Sequence, residues 1–345
     1  MRRIAQQQGV ALITALFIFS LVAIAAVAMA DRQTLDIRRT ENMLHYDQAY
    51  MYALGGEQWA AQVLIYIDED KEIDTLDPER DPWNTQLPPI PVEGGAISGY
   101  IRDASARFPI NNLVDANGNK QDLYVQAFER FTSYVLGSGA CGDQSSFNPD
   151  LAHVVLDWID KNEQVEVGGA EDNEYLNRER QPYRAANQPM ASISELRPLQ
   201  NLIAEEYNCF VGNGQNPPLV NAIRENDIAI NVNTAPAEVL QSIHSKIDDK
   251  ILQTVLEGRT EEPYKKVDDF VGDLLTEMAF GDSPEEKKEK AQVQKEIESI
   301  KLSTNSQYFE VTSIAQIGRL QVTTISLLKR EGNKVTTLQR SIGVF

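Results

Sequence analysis

The chain has 345 residues, enough for two or three domains. Hydrophobic residues make up 42% and charged residues 24%, the balance of an ordinary globular protein. Lys and Arg number 32 against 51 Asp and Glu, a formal charge of −19, so polyphosphate is repelled and nucleic acid is a poor partner. Three scattered histidines (His45, His153, His244) and two cysteines (Cys141, Cys209) cannot supply a His/Cys zinc site.

Residues 1–9 read MRRIAQQQG, short and basic. Val10–Ala30 follows with no charge over 21 residues. As a helix that stretch is about 31 Å long, one bilayer crossing. Three readings compete. The stretch is an uncleaved signal anchor, or a secretory signal peptide cut after AIAAVAMA (Ala23–Ala30), or a helix retained after cleavage at Gly9/Val10. The third accounts best for the short leader and for Gly9 abutting the apolar run. Arg2 and Arg3 place the leader on the cytoplasmic side and the remainder in the periplasm. In that oxidising compartment a Cys141–Cys209 disulfide is the default expectation.

Asp31–Ile67 lacks proline and mixes apolar with polar residues, so one long helix over residues 10–67 is expected, with a kink allowed at Gly55–Gly56. Asp68–Pro91 is acidic and proline-rich and reads as a loop. GAISGYIRD (Gly95–Asp103) reads as a strand, RFPINNL (Arg107–Leu113) as an extended element, and DANGN (Asp115–Asn119) as a turn. That turn departs from a calcium loop: its glycine comes fourth, and Gln126 holds the twelfth place. Helical spacing recurs over Asp122–Leu136, Asp150–Ile159, Ile193–Leu202, Pro236–His244, Asp249–Leu256, Val267–Met278 and Glu285–Ile300. From Gln307 the pattern alternates in three β-branched runs, with a hairpin at Glu331–Asn333. The order predicts an α+β fold: a long N-terminal helix on a small antiparallel sheet, with a large helical domain inserted. The expected divisions are a leader (1–9), the long helix (10–67), an α/β body (68–120 and 301–345) and the insertion (121–300).

The densest chemistry lies in Leu156–Asn187, LDWIDKNEQVEVGGAEDNEYLNRERQPYRAAN. It carries Asp157, Asp160, Glu163, Glu166, Glu171, Asp172, Glu174 and Glu179, with amide oxygens on Asn162, Asn173 and Asn187. Calcium takes six to eight such hard oxygen ligands. The competing reading is a solvated acidic loop paired with Arg178, Arg180 and Arg184. In INVNTAPAEVL (Ile230–Leu240), Thr234 is placed to cap a helix whose first turn holds Pro236 and Glu238. Together with KKVDDFVGDLL (Lys265–Leu275) it has the look of a helix-hairpin-helix unit. Asp268, Asp269, Glu261 and Glu262 face its lysines, which favours helical packing over nucleic-acid binding. No G-x-S-x-G, H-E-x-x-H or phosphate-binding glycine loop is present, so no enzyme is expected.

The leader resembles that of type IV pilin-like proteins, removed by prepilin peptidase before a retained apolar helix. LDWID, GGAED, PYRAAN with SISEL, INVNTAPAEVL and RFPINNL together resemble the protein K family of the type II secretion system, its large minor pseudopilins. The resemblance runs from Gly9 to the terminal strands. Thr14 stands at the fifth mature position, where most pilins carry Glu, and that omission is a trait of this family.

The resemblance implies a pilin-like body, a helical domain that binds Ca²⁺, and methylation of Val10 after cleavage behind Gly9. Carried over by motif, the metal ligands are Asp160, Asn162, Glu171 and Asp172, with Asn187 a further candidate. It implies a place at the tip of the pseudopilus on the bacterial inner membrane. Partners would be the minor pseudopilins of I, J and H type, the major pseudopilin and prepilin peptidase, with no nucleic acid. A calcium-dependent adhesin or assembly factor on a pilin-like stalk is the alternative.

Overall fold

In a computed structural model, residues 8–66, 73–137, 148–179, 181–212 and 216–343 are described. One helix, α1, runs unbroken from Gln8 to Tyr66, through the glycine pair. Its 59 residues span about 90 Å. It is the one helix among the described residues long and apolar enough to cross a membrane. The apolar side chains from Val10 to Met29 are exposed and stand clear of the body. The second half is different. Ala49, Ala53, Glu57, Ala60 and Leu64 recur at helical spacing and are buried against a sheet.

That sheet has five antiparallel strands in the order β1 (Leu87–Val92), β2 (Gly95–Asp103), β7 (Tyr308–Ile317), β8 (Leu320–Glu331) and β9 (Lys334–Ile342). β2 pairs directly with β7, although about two hundred residues separate them. Everything between them is the helical insertion, residues 104–307. Its helices are α2 (Asp122–Gly137), α3 (Leu151–Ile159), α4 (Asp172–Leu176), α5 (Ala204–Val211), α6 (Ala237–Ser242), α7 (Asp249–Glu261), α8 (Val267–Glu277) and α9 (Pro284–Ser299). Two-residue parallel bridges, β3 (Phe108–Pro109) with β4 (Val220–Asn221) and β5 (Ile230–Asn231) with β6 (Leu302–Ser303), tie each of its ends to the stretch at residues 220–231. The insertion has its own core, in which the rings of Phe108, Phe128 and Phe131 meet one another and Phe210 meets Phe131. The sheet and α1 share smaller clusters around Trp83, Phe309 and Leu328 and around Ala315 and Ile317.

Three expectations give way. The loop expected up to Pro91 ends in strand β1, which carries Pro88, Pro89 and Pro91. An edge strand tolerates prolines because one row of its N–H groups needs no partner, and the register slips between Leu87 and Ile90, where two of them sit. The helix expected over Ile193–Leu202 is a single 3-10 turn, Ile193–Leu196, because Pro198 cannot continue it; α5 follows instead. Thr234 does not cap α6. The N-cap is Pro236, and the Thr234 hydroxyl donates 2.5 Å to the buried Asp103 carboxylate at the end of β2.

The motif asparagines hold the insertion together, and Asn231 also ties it to the body. The Asn111 side chain donates to the Met190 and Ile223 carbonyls, and Asn112 donates to Ile228. Asn231 donates to the Ser306 hydroxyl and the Asp74 carbonyl. Arg107 makes a two-pronged ion pair with Glu310 on β7, 2.8 and 3.0 Å. Asp115 accepts from the Asn117 and Asn119 backbone N–H groups, so the DANGN turn is closed by its own carboxylate.

Candidate metal centre

The acidic loop is seated on α3. Asp157 and Asp160 lie three residues apart, on one face of the last turn, and both are buried. The Asp157 carboxylate accepts the Glu166 backbone N–H at 3.2–3.3 Å. Gly169 packs so closely that a Cβ there would sit 2.0 Å from Asp157 Oδ2. Its neighbour Gly168 has φ +80° and lies against Asp150. These two demands explain the glycine pair: one left-handed turn and one close approach. His153 Nδ1 holds the Val167 carbonyl at 2.8 Å, fixing the loop from the other side.

The loop then delivers Glu171, 2% exposed, just before α4. Asn187 comes from the following segment, where its backbone N–H donates to the Trp158 carbonyl at 2.9 Å. Four oxygens in this group are buried without a hydrogen-bond partner: Asp160 Oδ1, both carboxylate oxygens of Glu171, and Asn187 Oδ1. Orphaned oxygens of this kind cost free energy unless a cation or donor meets them. Burial pushes the Asp160 carboxyl up to about 7, and the charges of Asp157 and Glu166 add to the shift. Burial likewise raises Glu171 to about 7, reinforced by Asp157 and Asp160. Asp157 is raised by burial to about 6, against the pull of its backbone hydrogen bonds. Such shifts follow when carboxylates are crowded in a dry site.

The residues singled out in sequence thus divide. Asp160, Glu171 and Asn187 present free oxygens to one region. Asn162 is exposed; its amide donates 2.6 Å to Asp160 Oδ2 and its oxygen accepts from Gln164 N–H. Both oxygens of Asp172 are taken, by Arg184 at 3.1 Å and by the Ala185 N–H at 2.9 Å, which ties α4 to the PYRAAN segment. Asp157 belongs in the group, although motif reasoning passed over it. Its signal was the i, i+3 spacing to Asp160 in an otherwise apolar helix. Among the described residues no three His, Cys, Asp or Glu side chains close on a point as a finished shell. The free donors are two carboxylates and an amide carbonyl. They are all hard oxygens, which fit Ca²⁺ and not a thiolate- or imidazole-loving metal.

Gly9 and Val10 fall in the first turn of α1. Cys209 lies half-buried on α5, and no described cysteine is free. Cys141 lies outside the described residues, as does the leader up to residue 7.

Models of the type II secretion system protein K match residues 106–210 and 230–294, within the insertion. The type II secretion system protein K of Pseudomonas aeruginosa is 31% identical over 98% of this chain and 93% of its own length. That of Aeromonas hydrophila is 27% identical over 98% of both chains. Among solved structures, a chain of the GspK–GspI–GspJ complex from the enterotoxigenic Escherichia coli type 2 secretion system matches with a TM-score of 0.70. It is 26% identical, with 89% of this chain and all of that one covered. With the long exposed helix, the antiparallel body and the inserted helical domain, these matches settle the family: the chain belongs to the type II secretion system protein K family and is a minor pseudopilin of that system.

Proposed function

We propose that this pseudopilin sits at the tip of the pseudopilus and helps start its assembly, with a structural Ca²⁺ stiffening its helical domain. The observation that carries the tip reading is the insertion of residues 104–307 between two neighbouring strands. A domain of that size on the pilin body obstructs any subunit stacked beyond it. Thr14 supports the same reading. Its hydroxyl is spent on the Val10 and Ala11 carbonyls of its own helix, so no acid is offered to a subunit ahead.

The chain is processed at Gly9/Val10 by prepilin peptidase, methylated on Val10 and anchored in the inner membrane by α1, with its bulk in the periplasm. Its partners are the I, J and H minor pseudopilins and the major pseudopilin. The solved relative comes from a complex with GspI and GspJ, which supports the first two. The face of α1 turned away from the sheet supports helical docking. Ile37, Leu44 and Met51 are exposed there at seven-residue spacing, the seam of a helix bundle. In the membrane, Ala15, Ala23, Ala26 and Ala30 allow close helix approach.

Calcium is supported by the four buried oxygens without donors on Asp160, Glu171 and Asn187. Bound there, the ion would supply charge neutralisation and a cross-link between α3, the glycine loop and the PYRAAN segment. The test of the assembly reading is co-purification of the full chain in detergent with the I- and J-type pseudopilins. A stable ternary complex is expected; a chain that elutes alone under conditions where the I and J types associate overturns it.

A further inference from the structure

The calcium reading requires that Glu171 and Asn187, sixteen residues apart, be held at a fixed separation. Neither is on a long element. α4 has five residues, and Asn187 lies in irregular backbone with φ 46°. Besides the Asp172 bonds to Arg184 and Ala185, they are joined by an aromatic stack around one guanidinium. Tyr175, one helical turn after Glu171, is fully buried. Its ring stacks on Tyr183 at 5.3 Å and 27°. Tyr183 lies four residues before Asn187. Trp158, between the two α3 acids, meets the ring of Tyr175 edge-on at 5.2 Å and that of Tyr183 at 6.1 Å. Arg178 caps the stack, its guanidinium carbon 5.0 Å from the Tyr175 centroid and 4.9 Å from that of Tyr183. One of its N–H groups donates to the Tyr183 hydroxyl, which in turn donates to the Pro198 carbonyl. Arg178 makes no ion pair among the described residues, although acids crowd the loop.

We propose that Arg178 is a positioning residue for the calcium site: by clasping Tyr175 and Tyr183 it fixes Glu171 relative to Asn187 and so sets the affinity for the ion. The inference rests on the calcium reading above. Its physical basis is that groups orienting a metal's ligands typically contribute 10- to 100-fold in affinity. A planar guanidinium can stack on two rings and hydrogen-bond in its own plane, whereas an ammonium cannot do both. Trp158 lies in the same stack, so its fluorescence should report the closing of the site.

The test is a Ca²⁺ titration of the full chain in detergent, read by calorimetry and tryptophan emission, alongside melting without metal. Arg178→Lys is expected to weaken Ca²⁺ binding by about 10-fold or more while the calcium-free melting temperature stays near that of the parent. Tyr183→Phe keeps the ring and removes both hydrogen bonds, so weaker binding is expected there too, a second reading if the lysine variant folds poorly. Arg197→Ala serves as control. It removes a guanidinium 4.8 Å over Tyr207, elsewhere in the insertion, and should leave the affinity unchanged. If the parent binds Ca²⁺ and both clasp variants bind it equally well, the positioning role is wrong and the calcium reading stands. If the parent shows no Ca²⁺ response, both fall.

Discussion

Glu57 of α1 and Arg340 of β9 form a two-pronged ion pair at 2.6 and 2.7 Å beneath the sheet. Glu57 is 1% exposed and also accepts from Ser326 at 2.5 Å and Thr337 at 2.7 Å. Burial works to raise its pKa, but these donors outweigh it and hold the carboxyl below its ordinary value. The residue therefore stays ionised and clamps the helix to the last two strands. Glu57→Ala leaves Arg340 and two hydroxyls without their acceptor. Breaking a buried pair from one side costs about 3–5 kcal/mol, and the partly exposed Arg340 places this one near about 3. Denaturant unfolding should show that loss, while Arg39→Ala, in an exposed pair with Asp36, should change stability by less than about 0.5 kcal/mol.

The adjacent glycines should respond in opposite directions. A Cβ on Gly56 would lie 2.2 Å from Ser313 Oγ, whereas Gly55 faces open space. Gly55→Ala should stabilise by about 0.5–1 kcal/mol through helix propensity. Gly56→Ala should destabilise by about 1–3 kcal/mol through overpacking, and adding Ser313→Ala should recover part of it. Equal effects at the two positions would contradict the close approach of α1 to β7.

Much of this architecture was legible in the sequence. Unbroken helical spacing marked α1, and alternation in the last forty residues marked the hairpins, because each element buries one face. The insertion was legible from order alone: strand, helices, strands. The errors were local. Pro88, Pro89 and Pro91 argue against a strand unless its edge position is known, and edge position is a property of the whole sheet. Thr234 had the local form of a cap but is claimed by Asp103, 131 residues away. Asp172 looked as good a ligand as Glu171. Only the fold reveals that Arg184 occupies one and nothing occupies the other.

Asp103 gives a pH signature. Burial pushes its carboxyl up to about 6, against the hydrogen bonds from Ser306 and Thr234, and the charge of Asp74 adds to the rise. The folded state therefore holds this proton more tightly than the unfolded chain, whose value is near 4. Its contribution is greatest below about pH 4, falls as pH rises through about 6, and is flat above. Two units correspond to at most about 3 kcal/mol. In Asp103→Asn this falling limb should vanish, so the difference between the two unfolding profiles should change between pH 4 and 6. A parallel pair of profiles from pH 4 to 7 would refute the assignment.

The disulfide prediction concerns redox. Non-reducing peptide mapping should join Cys141 to Cys209, and closing a loop of that length contributes about 4 kcal/mol in the chain-entropy model. Reduction should lower the melting temperature, and the Cys209→Ser chain should melt identically with and without reductant. Two alkylatable thiols in the native protein would sink the pairing.

The calcium site separates residues that sequence could not. A ligand at a hundred times its dissociation constant stabilises the folded state by about 2.7 kcal/mol. Saturating Ca²⁺ should therefore raise the melting temperature of the metal-stripped chain, and Mg²⁺ should do so poorly because it demands a compact octahedron and keeps its water. Glu171→Gln and Asp160→Asn remove a charge from carboxylates with orphaned buried oxygens, both of those on Glu171 and Oδ1 of Asp160. Each should abolish most of the Ca²⁺ response and leave the metal-free protein as stable as before or more so, since mutual repulsion is relieved. Asp172→Asn should do the reverse. Its oxygens already serve Arg184 and Ala185, so baseline stability should fall by about 1 kcal/mol while the Ca²⁺ response persists. If Asp172→Asn abolishes the response and Glu171→Gln spares it, the cation lies on the outer side of α4, and the buried oxygens of Glu171 and Asp160 are not its ligands.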